Sequence, residues 1–149
     1  MSFSYRGEHL SFLIPAIYAL NSPGTDVYII SPWIYSGVQL IYPWKPGPQK
    51  TTLMELCLSE MKRGVDTKIF TSDMASKDPT TNQSIENFKE NGFEIQQIPK
   101  LHSKAIIGEH LKYQGSANIT YSGIYKNTET VSILPLDKSQ QEEVRSFLS

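Results

Sequence analysis

The stretch Leu101-His102-Ser103-Lys104-Ala105-Ile106-Ile107-Gly108-Glu109 sets an imidazole close to a cation. Read as a strand over Ser103–Ile107, it turns His102 and Lys104 to one face and Ser103 and Ala105 to the other. An ammonium beside a histidine attracts phosphate and lowers the ring's pKa, which favours the neutral, nucleophilic form. The same pair also fits a solvated strand edge. Gly115-Ser116-Ala117-Asn118-Ile119-Thr120 follows one strand later and is expected to open a short helix. There Gly115 would allow a close backbone approach and Ser116 would cap. The free N–H groups would attract an anion, and Asn118 would add an amide donor. A plain glycine turn with a serine cap is the competing reading. Asn127-Thr128-Glu129 then enters the last strand, with Glu129 on the face of Val131 and Ile133. A carboxylate turned toward a core must be paired, and a histidine N–H is a suitable partner.

The elements that must position these groups alternate along the chain. An apolar helix is expected from about Glu8 to Ala19, ended by Asn21-Ser22-Pro23-Gly24. A buried strand follows at Asp26–Ile30 and closes at Ser31-Pro32-Trp33-Ile34. Residues 42–50, with three prolines, read as a loop. Thr52 and Glu55 form a capping box for a helix that Gly64 stops. Leu53, Leu56, Cys57 and Met61 mark its buried face. A strand at Val65–Thr71, a polar helix at Asn82–Asn91 carrying Ile85 and Phe88, and a strand at Phe93–Ile98 come next. Two close strands, about Ser103–Ile107 and Leu111–Gln114, precede a strand near Thr130–Leu134. A last helix starts at Asp137, with Val144, Phe147 and Leu148 inward. Helix and strand alternation followed by a hairpin predicts an α/β fold, a mixed β-sheet flanked by helices.

Length and composition bound the function. The 149 residues suit a single domain spanning 1–149, and 39% hydrophobic with 19% charged residues excludes a disordered or fibrous class. The single cysteine, Cys57, excludes a disulfide scaffold and a cysteine-based zinc site; in its apolar helical run it reads as a small buried hydrophobe. Neither a metal nor a cofactor is expected. The apolar stretch Phe12–Leu20 is too short to span a bilayer and lacks a signal-peptide cleavage pattern, so a cytoplasmic location without stable membrane association is expected. The net charge of −1 taken alone argues against a polyanion partner. Its distribution argues the other way: Lys100, Lys104, Lys112 and Lys126 stand against Glu109 alone in residues 100–126, while Glu129, Asp137, Glu142 and Glu143 outweigh Lys138 and Arg145 in the tail.

His-x-Lys followed by an acid, then Gly-Ser-x-Asn-x-Thr, then Asn-x-Glu, in this order between Leu101 and Glu129, resembles the phospholipase D superfamily. The Asp26–Ile34 strand with its Ser-Pro-Trp-Ile ending also resembles the nuclease-like branch. The resemblance implies that His102 attacks phosphorus and forms a phosphohistidine. It implies that Lys104 and Asn118 hold non-bridging phosphate oxygens, supported by Ser116. Glu129 would orient His102 through its other ring nitrogen. The family's acid after Lys is normally aspartate and largely structural; here it is Glu109. His9 and His110 match nothing in the pattern. Family enzymes need two motifs, one histidine to attack and one to protonate the leaving oxygen. This chain carries one, so the resemblance implies a homodimer with the site shared across a two-fold axis.

The motif does not choose among DNA, RNA and phospholipid. Small size with one motif favours a metal-independent endonuclease, acting on DNA in preference to RNA. The alternatives are a phospholipase D or phosphatidyl transferase of the same chemistry and a non-catalytic nucleic-acid-binding module. Trp33, Tyr35, Tyr42 and Trp44 cluster around the proline-rich loop, as a base-stacking surface, a lipid-facing one or packing under the loop. Trp33 and Lys112 join Ser116 as candidate substrate contacts.

Overall fold

The computed structural model describes residues 2–6, 9–42 and 49–148, with side chains from residue 9 onward apart from 144, 145, 147 and 148. Strand β1 (Ser2–Arg6) is followed by helix α1 (Leu10–Ala19), β2 (Asp26–Ile30), β3 (Gln39–Tyr42), β4 (Gln49–Thr52) and α2 (Leu53–Lys62). Then come β5 (Asp66–Ser72), α3 (Pro79–Glu90), β6 (Glu94–Ile98), β7 (Ala105–Ile107), β8 (Leu111–Gly115), β9 (Thr128–Pro135) and α4 (Lys138–Leu148). Seven strands form one sheet in the order β1-β9-β8-β7-β2-β5-β6. β2, β5 and β6 pair in parallel, and the other neighbours are antiparallel, which makes the sheet mixed as expected.

Side-chain alternation splits the sheet into two faces. Val27, Ile29, Ile69, Ile106, Tyr113 and Val131 form the main core with Leu10, Ile14 and Ile17 of α1, Leu53 and Leu56 of α2, and Phe88 of α3. Ile30, Phe70, Ala105 and Ile107 point to the second face, where Tyr28, Ile98, Leu101 and Leu136 pack on them. The capping box of α2 is present: Thr52 accepts from the Glu55 N–H at 3.1 Å, and Glu55 Oε1 accepts from the Thr52 N–H at 3.4 Å.

Several expectations need correction. Gln39–Tyr42 and Gln49–Thr52 pair as a two-stranded hairpin, so the loop expected over 42–50 is shorter. Trp44 and the rest of 43–48, like Glu8, lie outside the described residues, as do the side chains of Val144, Phe147 and Leu148. β1, whose sequence Ser-Phe-Ser-Tyr-Arg alternates polar and aromatic residues, pairs with β9 and is absent from the expected order of elements. Helix α3 starts at Pro79 rather than Asn82, because Asp78 caps it by accepting from the Thr81 N–H at 2.9 Å. On α2, Met61 is exposed and Glu60 is buried. Seven residues return the helix to within about 20° of Leu53, whereas the eighth overshoots. Arg63 pairs with the Glu60 carboxylate at 2.7 Å, which makes its burial tolerable. The same guanidinium donates to the carbonyls of Tyr18 and Asn21 at 2.7 and 2.8 Å, capping the end of α1.

Candidate active site

Strand directions decide which motif residues meet. β7 runs antiparallel to both β2 and β8, and β9 antiparallel to β8. The segment leading into β7, the ends of β2 and β8, and the start of β9 therefore share one edge of the sheet. His102 and Lys104 come to that edge before β7, Ser116 and Asn118 after β8, Trp33 after β2 and Glu129 at the start of β9. Carboxyl ends of strands in open α/β sheets are where ligands bind, because the turns there leave a crevice.

His102 and Lys104 precede the strand, so strand alternation does not set their directions, contrary to expectation. A backbone bond from the Gly115 N–H to the Lys104 carbonyl, 3.2 Å, joins the two halves of the motif directly. The Lys104 ammonium donates to the His102 carbonyl at 3.1 Å. The His102 ring is exposed and has no hydrogen-bond partner among the described residues.

No helix opens at Gly115. Residues 116–120 are irregular, and a single π-helical turn comes later, at Ser122–Lys126. Two glycines make this path possible. A Cβ on Gly115 would overlap the Thr130 carbonyl oxygen of β9, and one on Gly123 would overlap the Asn118 carbonyl oxygen. The close approach at Gly115 is thus to a neighbouring strand. Tyr113, fully buried, clamps the turn: its hydroxyl accepts from the Ala117 N–H at 3.0 Å and donates to the Ala117 carbonyl at 3.1 Å. Burial pushes the Tyr113 phenol up to about 12, so it stays protonated and able to donate.

Ser116 does not cap a helix. Its hydroxyl donates to Glu129 Oε2 and accepts from the Thr130 N–H at 2.8 Å. Glu129, half-buried on the face of Val131, therefore finds its partner in Ser116; among the described residues it makes no bond to His102. Asn118 is held through its oxygen, which accepts from the Trp33 N–H at 3.2 Å. That bond leaves the two amide N–H donors free of partners among the described residues. Ser31, which the sequence reading passed over, ties the edge together. Its hydroxyl accepts from the Ile119 N–H at 2.9 Å and donates to the Trp33 carbonyl at 2.5 Å. The Tyr35 N–H then donates to the Ile119 carbonyl at 2.8 Å. The usable signal was position: Ser31 is the first residue beyond a buried strand.

A cleft of about 630 Å³ opens here, lined by Trp33, Tyr35, Asn118, Tyr121 and Glu129 among others. Asp78 and Thr81 from the start of α3 close its far wall. His102 and Lys104 stand at the same sheet edge but outside this lining. Lys112 does not come to the cleft; it sits within β8 opposite Ile107 and Leu134. Glu109 lies at the other end of β7. Its Oε1 accepts from the Ser22 N–H at 2.9 Å, and its own N–H donates to Asn21 Oδ1 at 2.8 Å. The Ser22 N–H holds the Glu109 carboxyl below the usual range, with a smaller pull from His110. Cys57 is fully buried and beside Tyr18, as expected of a packed thiol.

A family model described as "Cardiolipin synthase, PLD-like domain" matches residues 11–149. No curated protein matches the chain in sequence. The solved structure of Nuc from Salmonella typhimurium, a phospholipase D family member, is similar with a TM-score of 0.69 at 18% identity, over 99% of this chain and 91% of that one. NucT from Helicobacter pylori follows with 0.67 at 14% identity and the same coverage. TrmBL2, an archaeal chromatin protein whose structure shows a mode of DNA binding, reaches 0.55 at 15% identity, over 99% of this chain and 51% of its own. At these identities the solved structures speak for the fold. The family model, by contrast, spans nearly all of the chain, including the His-x-Lys and Gly-Ser-x-Asn segments that the sheet edge brings together, and the chain belongs to the phospholipase D-like family.

Proposed function

We propose that the chain is a phosphodiesterase that cleaves nucleic acid, DNA in preference to RNA, by covalent catalysis at His102. The observation that carries this reading is the Gly115–Lys104 backbone bond, which sets the His102 and Asn118 segments side by side. A ring nitrogen of His102 attacks phosphorus, and the bond from phosphorus to the leaving oxygen breaks. Lys104 and the free amide donors of Asn118 hold the non-bridging oxygens as charge builds on them. The Ser116 hydroxyl, bonded to Oε2, holds the Glu129 carboxyl in place beside that site. The leaving oxygen takes a proton from a second acid. Water then attacks the phosphohistidine, the phosphorus–nitrogen bond breaks, and the water's proton returns to that acid.

His9 and His110 are the only other histidines, and neither stands in a His-x-Lys pair. The second acid is therefore assigned to His102 of another copy across a two-fold axis. Incubation with plasmid and single-stranded substrates in excess EDTA tests the chemistry. Cleavage by the wild type and none by His102→Ala is expected; cleavage lost with chelator, or kept by His102→Ala, would overturn it. Sedimentation is expected to give a dimer mass, and an active monomer would exclude the shared site.

A second reading, phosphatidyl transfer, draws on the family model's description and on a structural likeness to phosphatidylserine synthase from Haemophilus influenzae. That likeness has a TM-score of 0.62 at 10% identity and covers 35% of the synthase. Head-group release from phosphatidylcholine vesicles, with no cutting of nucleic acid, would favour it.

A further inference from the structure

A second groove, also about 630 Å³, adjoins the candidate active cleft. It runs between the β3–β4 hairpin, through Gln39, Ile41 and Lys50, and the π-helical turn, through Tyr125. Tyr35 and Tyr121 line both spaces, so they form the ridge between them. The ridge rings are open to solvent, with Tyr121 at 55% and Tyr35 at 36% exposure, and Trp33 beside them at 37%. Rings this exposed contribute little to the core, yet they are held in place. Tyr121 leans on Tyr125 with ring centres 5.6 Å apart and planes 35° apart. The Lys126 ammonium sits 5.4 Å from the Tyr121 centre, and the Tyr125 hydroxyl donates to the Gln39 carbonyl. Tyr35 lies over Gly37, where a Cβ would come within 2.7 Å of its phenol oxygen.

We infer that this groove seats an unpaired nucleobase flanking the scissile phosphate, stacked on Tyr121, and that the protein selects single-stranded nucleic acid. The inference rests on the phosphodiesterase reading above and names its substrate class. In a duplex the base faces are covered by their neighbours, and only edges are offered in the grooves. An unpaired base can lay its face on an aromatic ring. Lys126 beside the ridge and Lys50 in the groove supply cations for the flanking phosphates. The Gln39 and Lys50 side chains and the phenol hydroxyls suit a polar-edged base better than an acyl chain.

The experiment compares a labelled single strand, the same sequence as duplex, and bis(4-nitrophenyl) phosphate. Wild type is expected to cut the single strand well in preference to the duplex. Tyr121→Ala is expected to raise KM for the single strand about tenfold, the loss of one stacked base, while Tyr121→Phe stays near wild type. Equal cutting of duplex, an unchanged KM in Tyr121→Ala, or vesicle head-group release that depends on Tyr121 would each overturn the inference. If wild type hydrolyses no diester at all, the phosphodiesterase reading has failed. Oligonucleotide binding by anisotropy then still decides the groove: Tyr121-dependent single-strand affinity supports it, and Tyr121-independent affinity overturns it.

Discussion

The Trp33 N–H donates to the side-chain oxygen of Asn118 across 3.2 Å, linking the turn after β2 to the turn after β8. The backbone donor has no choice of partner type, so it fixes which end of the amide faces inward. The N–H₂ end is left for the cleft. A residue that could have faced either way is thereby committed to donate.

Asn118→Asp tests that commitment. The variant keeps an acceptor for the Trp33 N–H and exchanges the donors for a charge that repels phosphate. Thermal stability near wild type is expected, with kcat on bis(4-nitrophenyl) phosphate lower by about 10²–10³-fold. Undiminished turnover would remove Asn118 from the phosphate site.

Gly115 is needed for space and not for an unusual backbone angle, since its φ is not among the positive ones. Gly115→Ala must push the Thr130 carbonyl and open the β8–β9 pairing. A loss of about 3 kcal/mol, or roughly 6–12 °C in Tm, is expected by thermal denaturation. Gly24, whose φ is 89° and which has open space where a Cβ would go, should respond more mildly to the same change.

Glu109 makes stability depend on acid pH. Its folded pKa is lowered, first by the Ser22 N–H, so the folded state prefers the charged form. The stabilisation is present above the ordinary value of about 4.3 and is lost as pH falls through the lowered folded value. Glu109→Gln keeps the acceptor and loses the charge. Its Tm is expected about 2–4 °C below wild type at neutral pH, with the gap closing in acid. A gap that widens in acid would contradict the assignment.

Cys57 should be chemically silent. Burial pushes its thiol up to about 11, and none of its surface is open to reagent. Iodoacetamide at pH 8 is expected to leave the folded protein unmodified by mass spectrometry and to label it fully once unfolded.

Local signals determined much of this protein from its sequence. Strand Asp26–Ile30 and the Thr52–Glu55 capping box rest on neighbours in the chain, and both stand where the sequence placed them. The order His102, Lys104, Ser116, Asn118, Glu129 was likewise enough to point to a family. Tertiary structure decided the rest. β1 has no partner until β9 exists, and the Gln39–Tyr42 strand needs Gln49–Thr52. Glu129 was expected to meet a histidine and instead meets Ser116, because the path out of β8 turns along β9 and never starts a helix. Ser31 reaches Ile119 and Trp33 reaches Asn118 only because β7 is inserted between β2 and β8 with reversed direction. Spacing along a chain carries residue types and local geometry. Which donor faces which acceptor is settled only when strands distant in sequence become neighbours.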